Sequence, residues 1–349
     1  MLGLRPADRR TGVTQRESRT SAGRGLRAAL VLAFVMAGLL LPAMAGRVAA
    51  GEVPSGQAAE TTPGSEAAAR PPKAEAKMND ISRTRVRVAH GDFEVVAEFI
   101  AAPGATRTVV MLPSYARGAG DFTAEFGSDL AQRVAAAGYR VLLPWPRNFA
   151  PGLTTGPAEG VRMQDLAADV AAILEAEGTP PATIIGHAFG NRVARMLATS
   201  HPHLVDRLIL LAAGGVKPTP APQREALVGL VFQPAASDEQ RDAWLRTAFF
   251  APGNDPSIWR KGWSMGSGTP QAEATRDTPV EDWWRGGNVP IHVVQAAQDT
   301  CAPAEDSSIP LKEALGARVE LVTIQNAGHA MLPEQPQAVG DHVLDFLAR

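Results

Sequence analysis

Three short segments of the chain carry residue types that could together move protons at a buried site. The first is Gly186-His187-Ala188-Phe189-Gly190, which lies between an apolar stretch and an amphipathic one. The second, VVQAAQDTCAP, contains Asp299 four residues before a proline, and the third, LVTIQNAGHAMLPEQP, contains His329. An aspartate beside a histidine orients the imidazole and stabilises its cation, so that the histidine can take up and return protons. The pair Asp299 and His329 is therefore the candidate catalytic pair.

The first segment has the form of a nucleophile elbow. Gly186 and Gly190 stand two residues before and two after Ala188, and such glycines let a strand and a helix approach without Cβ clashes. Along the chain, the elbow comes first, the acid Asp299 second and the base His329 third. In this order of motifs, residues 85–349 resemble the α/β-hydrolase family. The resemblance implies an α/β fold, with a mainly parallel sheet flanked by helices and an inserted cap. Family members have Ser, or less often Cys or Asp, at the centre of the elbow, whereas Ala188 has no nucleophilic atom.

The resemblance also implies an oxyanion hole made of backbone amides. Its donors would be the N–H groups of Phe189 and Tyr115, because VVMLPSYARGAGDF takes the place of the family's strand and His-Gly turn. Pro113-Ser114 replaces His-Gly there. Ser114 is either a displaced nucleophile within reach of His329 or a small residue that lets the Tyr115 amide face the pocket.

Three functions are compatible with an alanine at the elbow. The favoured one is a cofactor-free hydrolase or lyase-type enzyme, in which His329 and Asp299 act as a general base on water or on substrate. The retention of both residues favours it. The alternatives are a catalytically silent ligand-binding protein and a serine hydrolase inactivated by a Ser-to-Ala change at position 188. No metal or cofactor motif is recognised, so neither group is expected.

Alternating apolar strands and helices must position these residues. Two antiparallel strands are predicted around His90-Gly91-Asp92, and the later alternation predicts a parallel sheet covered on both faces. The predicted strands are 107–113, 139–144, 182–186, 207–212, 290–296 and 318–324. The predicted helices are about 122–137, about 162–177, 188–200, about 308–315 and 335–348.

An irregular stretch, 216–286, interrupts the alternation, and a cap insertion is predicted at about 216–287. It carries five of the six tryptophans. These residues predict either a pocket for a small hydrophobic or aromatic ligand or a small core of the cap itself. The sequence does not identify the substrate or the oligomeric state.

Composition excludes several classes of function. The chain has 34 basic and 36 acidic residues, a balance without the electrostatic footprint of a nucleic-acid-binding protein. A single cysteine, Cys301, excludes an internal disulfide framework and Cys-rich zinc sites.

The N-terminal region resembles a secretory signal. An apolar run at 28–41 follows arginines and precedes Ala43-Met44-Ala45, which predicts a signal peptide over 1–45 and a periplasmic or secreted protein with no stable membrane partner. The alternative is an uncleaved anchor at 28–46. Residues 46–80 have almost no large apolar side chains and predict a disordered linker, which leaves 81–349 as the folded domain.

Overall fold

The computed structural model describes residues 81–349. The predicted signal peptide (1–45), the alternative anchor (28–46) and the predicted linker (46–80) lie outside these residues. Within them, eight strands form one sheet in the order β1-β2-β4-β3-β5-β6-β7-β8. The strands are β1 Ser82–His90, β2 Phe93–Ala101, β3 Arg107–Leu112, β4 Tyr139–Trp145, β5 Ala182–His187, β6 Val205–Leu211, β7 Ile291–Ala296 and β8 Val319–Ile324.

The sheet is antiparallel at one edge and parallel elsewhere. β1 and β2 form the expected hairpin around Gly91, whose φ of 65° suits a tight turn. β2 also pairs antiparallel with β4, and β3 to β8 pair in parallel. Every residue of β5 and β7 is buried, as expected for strands covered on both faces.

Helices cover both faces of the sheet. They are α1 Leu130–Ala136, α2 Met163–Ala176, α3 Gly190–Ser200, α4 Ala221–Phe232, α5 Asp238–Ala248, α6 Met265–Asp277, α7 Ser308–Leu315, α8 Met331–Glu334 and α9 Pro336–Ala348. One apolar core contains residues of α2, α3 and α7, and the core on the opposite face contains residues of α1, α8 and α9. The predicted mainly parallel α/β architecture is confirmed.

One prediction about a helix is wrong. The helix expected at about 122–137 begins only at Leu130, after two 3₁₀ turns at Ala119–Phe122 and Ala124–Phe126. Gly127 has a φ of 83°, a left-handed conformation that ends the second turn and excludes a continuous helix. The stretch 216–286, where the alternation of strands and helices is interrupted, contains α4, α5 and α6.

The segment between β6 and β7, residues 212–290, is called the insertion here. Trp244, Trp259 and Trp263 belong to a separate apolar cluster formed with α4 and α5. The side chain of Arg117 is completely buried against this cluster, with its guanidinium carbon 4.1 Å from the ring centre of Trp259 and hydrogen-bonded to Asp121. Within residues 81–349, no helix is both long enough and apolar enough to cross a bilayer.

Candidate active site

The elbow is a tight turn between β5 and α3. Ala188 at its apex has a φ of 51°, a left-handed conformation that residues with a Cβ adopt at a cost. A Cβ at Gly190 would lie 2.1 Å from the carbonyl oxygen of Leu112, and one at Gly186 would lie 2.6 Å from the amide nitrogen of Asn191. Only glycine therefore fits at both flanking positions.

Hydrogen bonds fix the apex. The Ala188 N–H donates to the carbonyl of Leu211 on the neighbouring strand at 3.0 Å. The Asn191 side-chain amide donates to the carbonyls of Ala188 and Leu211, at 3.1 and 2.8 Å. The strained turn is thus held by the backbone and by Asn191.

Asp299 and His329 are in direct contact. Nδ1 of His329 lies 2.8 Å from Oδ2 and 3.0 Å from Oδ1 of Asp299. The N–H groups of Cys301 and Ala302 donate to Oδ1 at 2.9 and 2.8 Å, which orients the carboxylate. Because Nδ1 carries the proton shared with Asp299, Nε2 is the basic nitrogen of the neutral ring. Within residues 81–349, this Nε2 has no hydrogen-bond partner.

His187 positions the loop that carries His329. Its Nε2 lies 2.9 Å from the backbone carbonyl of His329, and since a carbonyl can only accept, Nε2 is the donor. Burial, helped by the nearby His329, lowers the pKa of His187 to about 3, so the ring is neutral at ordinary pH. His187 is therefore a structural residue.

Glu334 supports the same loop from the other side. Its carboxylate accepts hydrogen bonds from the N–H groups of Gly328 and Ala251, both at 2.7 Å, and from the side chain of Asn254. Burial raises the pKa of Glu334 despite these donors. The base is therefore held by its own loop and by the insertion.

The two amides assigned to an oxyanion hole are free of backbone partners. In the described part of the chain, the N–H groups of Tyr115 and Phe189 donate no hydrogen bond, whereas the next amide, that of Ala116, donates to Oε1 of Gln271 at 2.7 Å. The Tyr115 hydroxyl donates to the carbonyl of Gly268 at 2.6 Å. Helix α6 thus holds the loop on which one of the two amides lies.

These groups surround one cavity of about 780 Å³, including the part open to solvent. It brings together Ala188, Phe189, Ser114, Tyr115 and His329. The insertion adds apolar wall residues, namely Leu227, Val228, Phe249 and Ala272. None of the five tryptophans of the insertion lines this cavity, so the apolar character of its wall does not come from them.

Two other nucleophilic side chains line the cavity, and neither is paired with the base. Ser114 is 1% exposed, and no hydrogen bond joins its hydroxyl to His329 among residues 81–349. The Cys301 thiol donates to the carbonyl of Ala248 at 3.0 Å, and burial, together with the charge of Asp299, raises its pKa well above the usual value. A thiol in this environment is a poor nucleophile because the thiolate is disfavoured.

Sequence reasoning missed three residues at this site: Arg192, Gln271 and Glu334. Arg192 could have been found, because it lies one helical turn after Ala188 on the predicted helix. Gln271 accepts a hydrogen bond from Ala116, which lies 155 residues earlier in the chain. A local sequence pattern cannot predict a contact between residues so far apart. No group of three or more metal-ligating side chains is present in the described part of the chain.

Comparisons with known proteins agree with this architecture. Residues 88–342 match the sequence profile of a family described as the alpha/beta hydrolase family. A non-heme chloroperoxidase from Streptomyces lividans is 28% identical over 234 residues, which cover 60% of this chain and 82% of that protein. A hydrolase from Pseudomonas aeruginosa is 20% identical with a TM-score of 0.60, over 76% of this chain and 98% of that structure. An esterase from Exiguobacterium antarcticum is 18% identical with a TM-score of 0.60, over 75% of this chain and 99% of that structure.

Proposed function

The chain belongs to the alpha/beta hydrolase family, and from this premise we propose that it is a general-base enzyme that cleaves a carbonyl substrate without forming an acyl-enzyme. One observation carries the proposal. His329 is paired with Asp299 at 2.8 Å and lines the same cavity as Ala188, which offers a methyl group where the family has its nucleophile. The base has been kept without the group that it would normally activate.

In this mechanism, water replaces the side-chain nucleophile. Nε2 of His329 takes a proton from water as the water oxygen attacks the carbonyl carbon of the substrate. The carbonyl electron pair moves to its oxygen, and the amides of Tyr115 and Phe189 stabilise the resulting negative charge. When the intermediate collapses, the bond to the leaving group breaks and the imidazolium returns its proton to that group. The carboxylate of Asp299, 2.8 Å from Nδ1 of His329, stabilises the imidazolium that forms.

Steady-state hydrolysis of 4-nitrophenyl butyrate by purified protein tests the proposal. General-base assistance contributes about 10²–10⁴-fold, so His329→Gln should lower kcat/KM by about that factor. His203→Gln is the matched control, because His203 is exposed and outside the cavity, and it should leave the rate unchanged. A His329→Gln variant that folds and hydrolyses the ester at the wild-type rate would overturn the general-base role.

Ala188 itself favours a second candidate, a ligand-binding protein without turnover. The cavity could then serve only to hold a small molecule against its apolar wall. Such a protein would be stabilised against heat by its ligand, because a ligand that binds only the native state raises apparent stability. Two results together would favour this candidate. Esters and their hydrolysis products would both raise the melting temperature of the protein, and no hydrolysis product would be released over prolonged incubation.

We also propose that the protein is exported and cleaved before Gly46. The support is the sequence alone: arginines, the apolar run at 28–41 and Ala43-Met44-Ala45. Intact-mass analysis of protein from its native host should give a chain that begins at or soon after Gly46. A chain that begins at Met1 and sediments with membranes would contradict cleavage and favour the anchor at 28–46.

A further inference from the structure

The lining of the cavity beside Ala188 contains one permanent positive charge and no carboxylate. The positive charge is that of Arg192. Its other polar side chains belong mainly to Ser114, Tyr115, Thr219 and Thr275, which carry hydroxyl groups. The wall thus offers a cation and hydroxyl groups but no carboxylate, and the Tyr115 and Thr275 hydroxyls already donate to backbone carbonyls.

Arg192 is partly buried and has no polar partner. Within residues 81–349, its guanidinium makes no hydrogen bond and no ion pair, and its closest described aromatic contact is with Trp283, at 5.4 Å from guanidinium carbon to ring centre. Burial lowers the pKa of Arg192 to about 10, which still leaves it cationic at neutral pH. A partly buried charge without a protein partner has lost part of its hydration, so this guanidinium is available to bind an anion in the cavity.

Arg195, on the same helix, differs from Arg192 because its buried guanidinium has hydrogen-bond partners. It is completely buried, and its three nitrogens donate to the carbonyls of Asn191, Trp284 and Gly214. Those carbonyls are neutral, so neither arginine has a carboxylate partner in the described residues. The charge of Arg195 therefore adds to the positive potential around Arg192 instead of cancelling it.

The position of Arg192 on α3 makes an anion more favourable still. The helix begins at Gly190, so Arg192 lies in its first turn, at the positive end of the helix dipole. A cation is disfavoured there, whereas an anion is attracted by the dipole and the guanidinium together. Arg192 and Ala188 line the same cavity, so Arg192 can hold a group a few bonds away from a carbonyl at Ala188.

We propose that this cavity takes a substrate that carries a carboxylate, held by Arg192, on an apolar body that packs against Leu227, Val228 and Phe249. The guanidinium binds a carboxylate through two parallel N–H donors, which fixes both its position and its orientation. This inference rests on the proposed function in one respect: the bound molecule is called a substrate because the cavity is proposed as the reaction site. The binding of the carboxylate itself does not require turnover.

Calorimetric titration with two matched compounds tests the inference without relying on catalysis. The anion 6-phenylhexanoate carries a carboxylate, and 6-phenylhexanamide is a neutral compound of nearly the same shape; neither is an ester that the proposed reaction would cleave. Wild type should bind the anion at least tenfold more tightly than the neutral compound. Arg192→Gln should abolish that preference, and Arg192→Lys should keep part of it, because lysine retains the charge but not the paired donors.

The matched control is Arg87→Gln, which removes the same charge from an exposed position on β1. It should leave the preference unchanged. Equal affinities for the two compounds in wild type, or a preference that survives in Arg192→Gln, would overturn the inference. A preference lost in Arg192→Gln but without ester cleavage by wild type would support the carboxylate site while contradicting the general-base enzyme.

Discussion

At the scale of single residues, Ala188 has the backbone conformation of a nucleophile elbow but no nucleophilic side chain. Its φ of 51° is the strained conformation expected at the apex of an elbow, yet its side chain ends in a methyl group. The backbone bond to Leu211 and the two bonds from Asn191 hold this conformation without a hydroxyl. A serine at this position should therefore adopt the same backbone.

Ala188→Ser should give the protein a reactive serine. The new hydroxyl would stand at the start of α3 in the cavity shared with His329, so we expect slow labelling by a fluorescent serine-directed phosphonate, where wild type shows none. Recovery should be partial, because Pro113-Ser114 stands in the oxyanion loop in place of His-Gly. Gel fluorescence and peptide mapping measure the label and its position.

The controls for this variant come from the base and from the cavity wall. Adding His329→Ala to Ala188→Ser should abolish the labelling, since the serine then lacks its base. Wild type that labels on Ser114 would instead support the displaced nucleophile. A folded Ala188→Ser protein that never labels would mean that the pocket is not arranged for catalysis.

At the scale of elements, the sequence predicts β5 and α3 well because glycines and apolar residues mark both ends of the turn. It fails for α1, where Gly127 stops a helix that the apolar residues alone would extend to residue 122. In the insertion, the many prolines and glycines of 216–286 interrupt the apolar pattern, so the sequence does not give the bounds of the three helices there. Pro222 lies in the first turn of α4, where a missing N–H costs nothing.

Gly190→Ala should damage the elbow. The new Cβ would lie 2.1 Å from the Leu112 carbonyl oxygen, so the strand or the helix must move, at a cost of about 3 kcal/mol in the free energy of unfolding. Gly214→Ala is the control, since its Cβ would find its nearest neighbour at 3.7 Å. Urea denaturation measures both variants. Equal midpoints for Gly190→Ala and wild type would contradict this close approach.

Buried histidines on two strands should make the fold sensitive to acid. Burial lowers the pKa of His292 to about 4 and that of His187 to about 3, so the unfolded chain binds protons below pH 6.5 that the folded chain does not. The stabilisation from neutral rings is complete above pH 6.5 and is lost as the pH falls below it. Each ring can contribute a slope of up to about 1.4 kcal/mol per pH unit.

His292→Phe should reduce this acid sensitivity. The ring of His292 stacks on Phe346 at 4.4 Å between ring centres, and both of its nitrogens are buried without a hydrogen bond, so phenylalanine preserves the packing and removes one titrating group. The free energy of unfolding, measured by urea between pH 7 and pH 5, should fall less steeply than in wild type. The exposed control His203→Gln should keep the wild-type slope, and an unchanged slope in His292→Phe would contradict the assignment.

At the scale of the whole molecule, the sequence predicts the order of elements and that Ala188, Asp299 and His329 lie near one another, but not the contacts that assemble the pocket. Asp299 and His329 follow strand ends, where a parallel sheet gathers its loops, and this rule suffices to place them together. The bond from Ala116 to Gln271 and the contact of Arg117 with Trp259 join the sheet to the insertion. Such contacts depend on tertiary packing, which no local pattern encodes.

Residues 81–349 should fold without the preceding 80. The sheet and the apolar clusters described above lie within 81–349. The melting temperature of the truncated protein should therefore lie within about 2 °C of that of the full chain. In a domain of this size, such a difference corresponds to less than about 1 kcal/mol of stability. Differential scanning calorimetry makes the comparison. A fragment that aggregates or lacks a cooperative transition would contradict a linker over 46–80.

The central claim is that the base acts without a covalent intermediate, and rapid-quench intact-mass analysis during turnover of 4-nitrophenyl butyrate tests it most directly. Nitrophenolate release measured on the same samples reports turnover. We expect release by wild type with no protein species heavier by a butyryl group at any time, and loss of release in His329→Gln. A butyryl adduct that forms and decays at the rate of turnover, on Ser114, Cys301 or any other side chain, would contradict the claim.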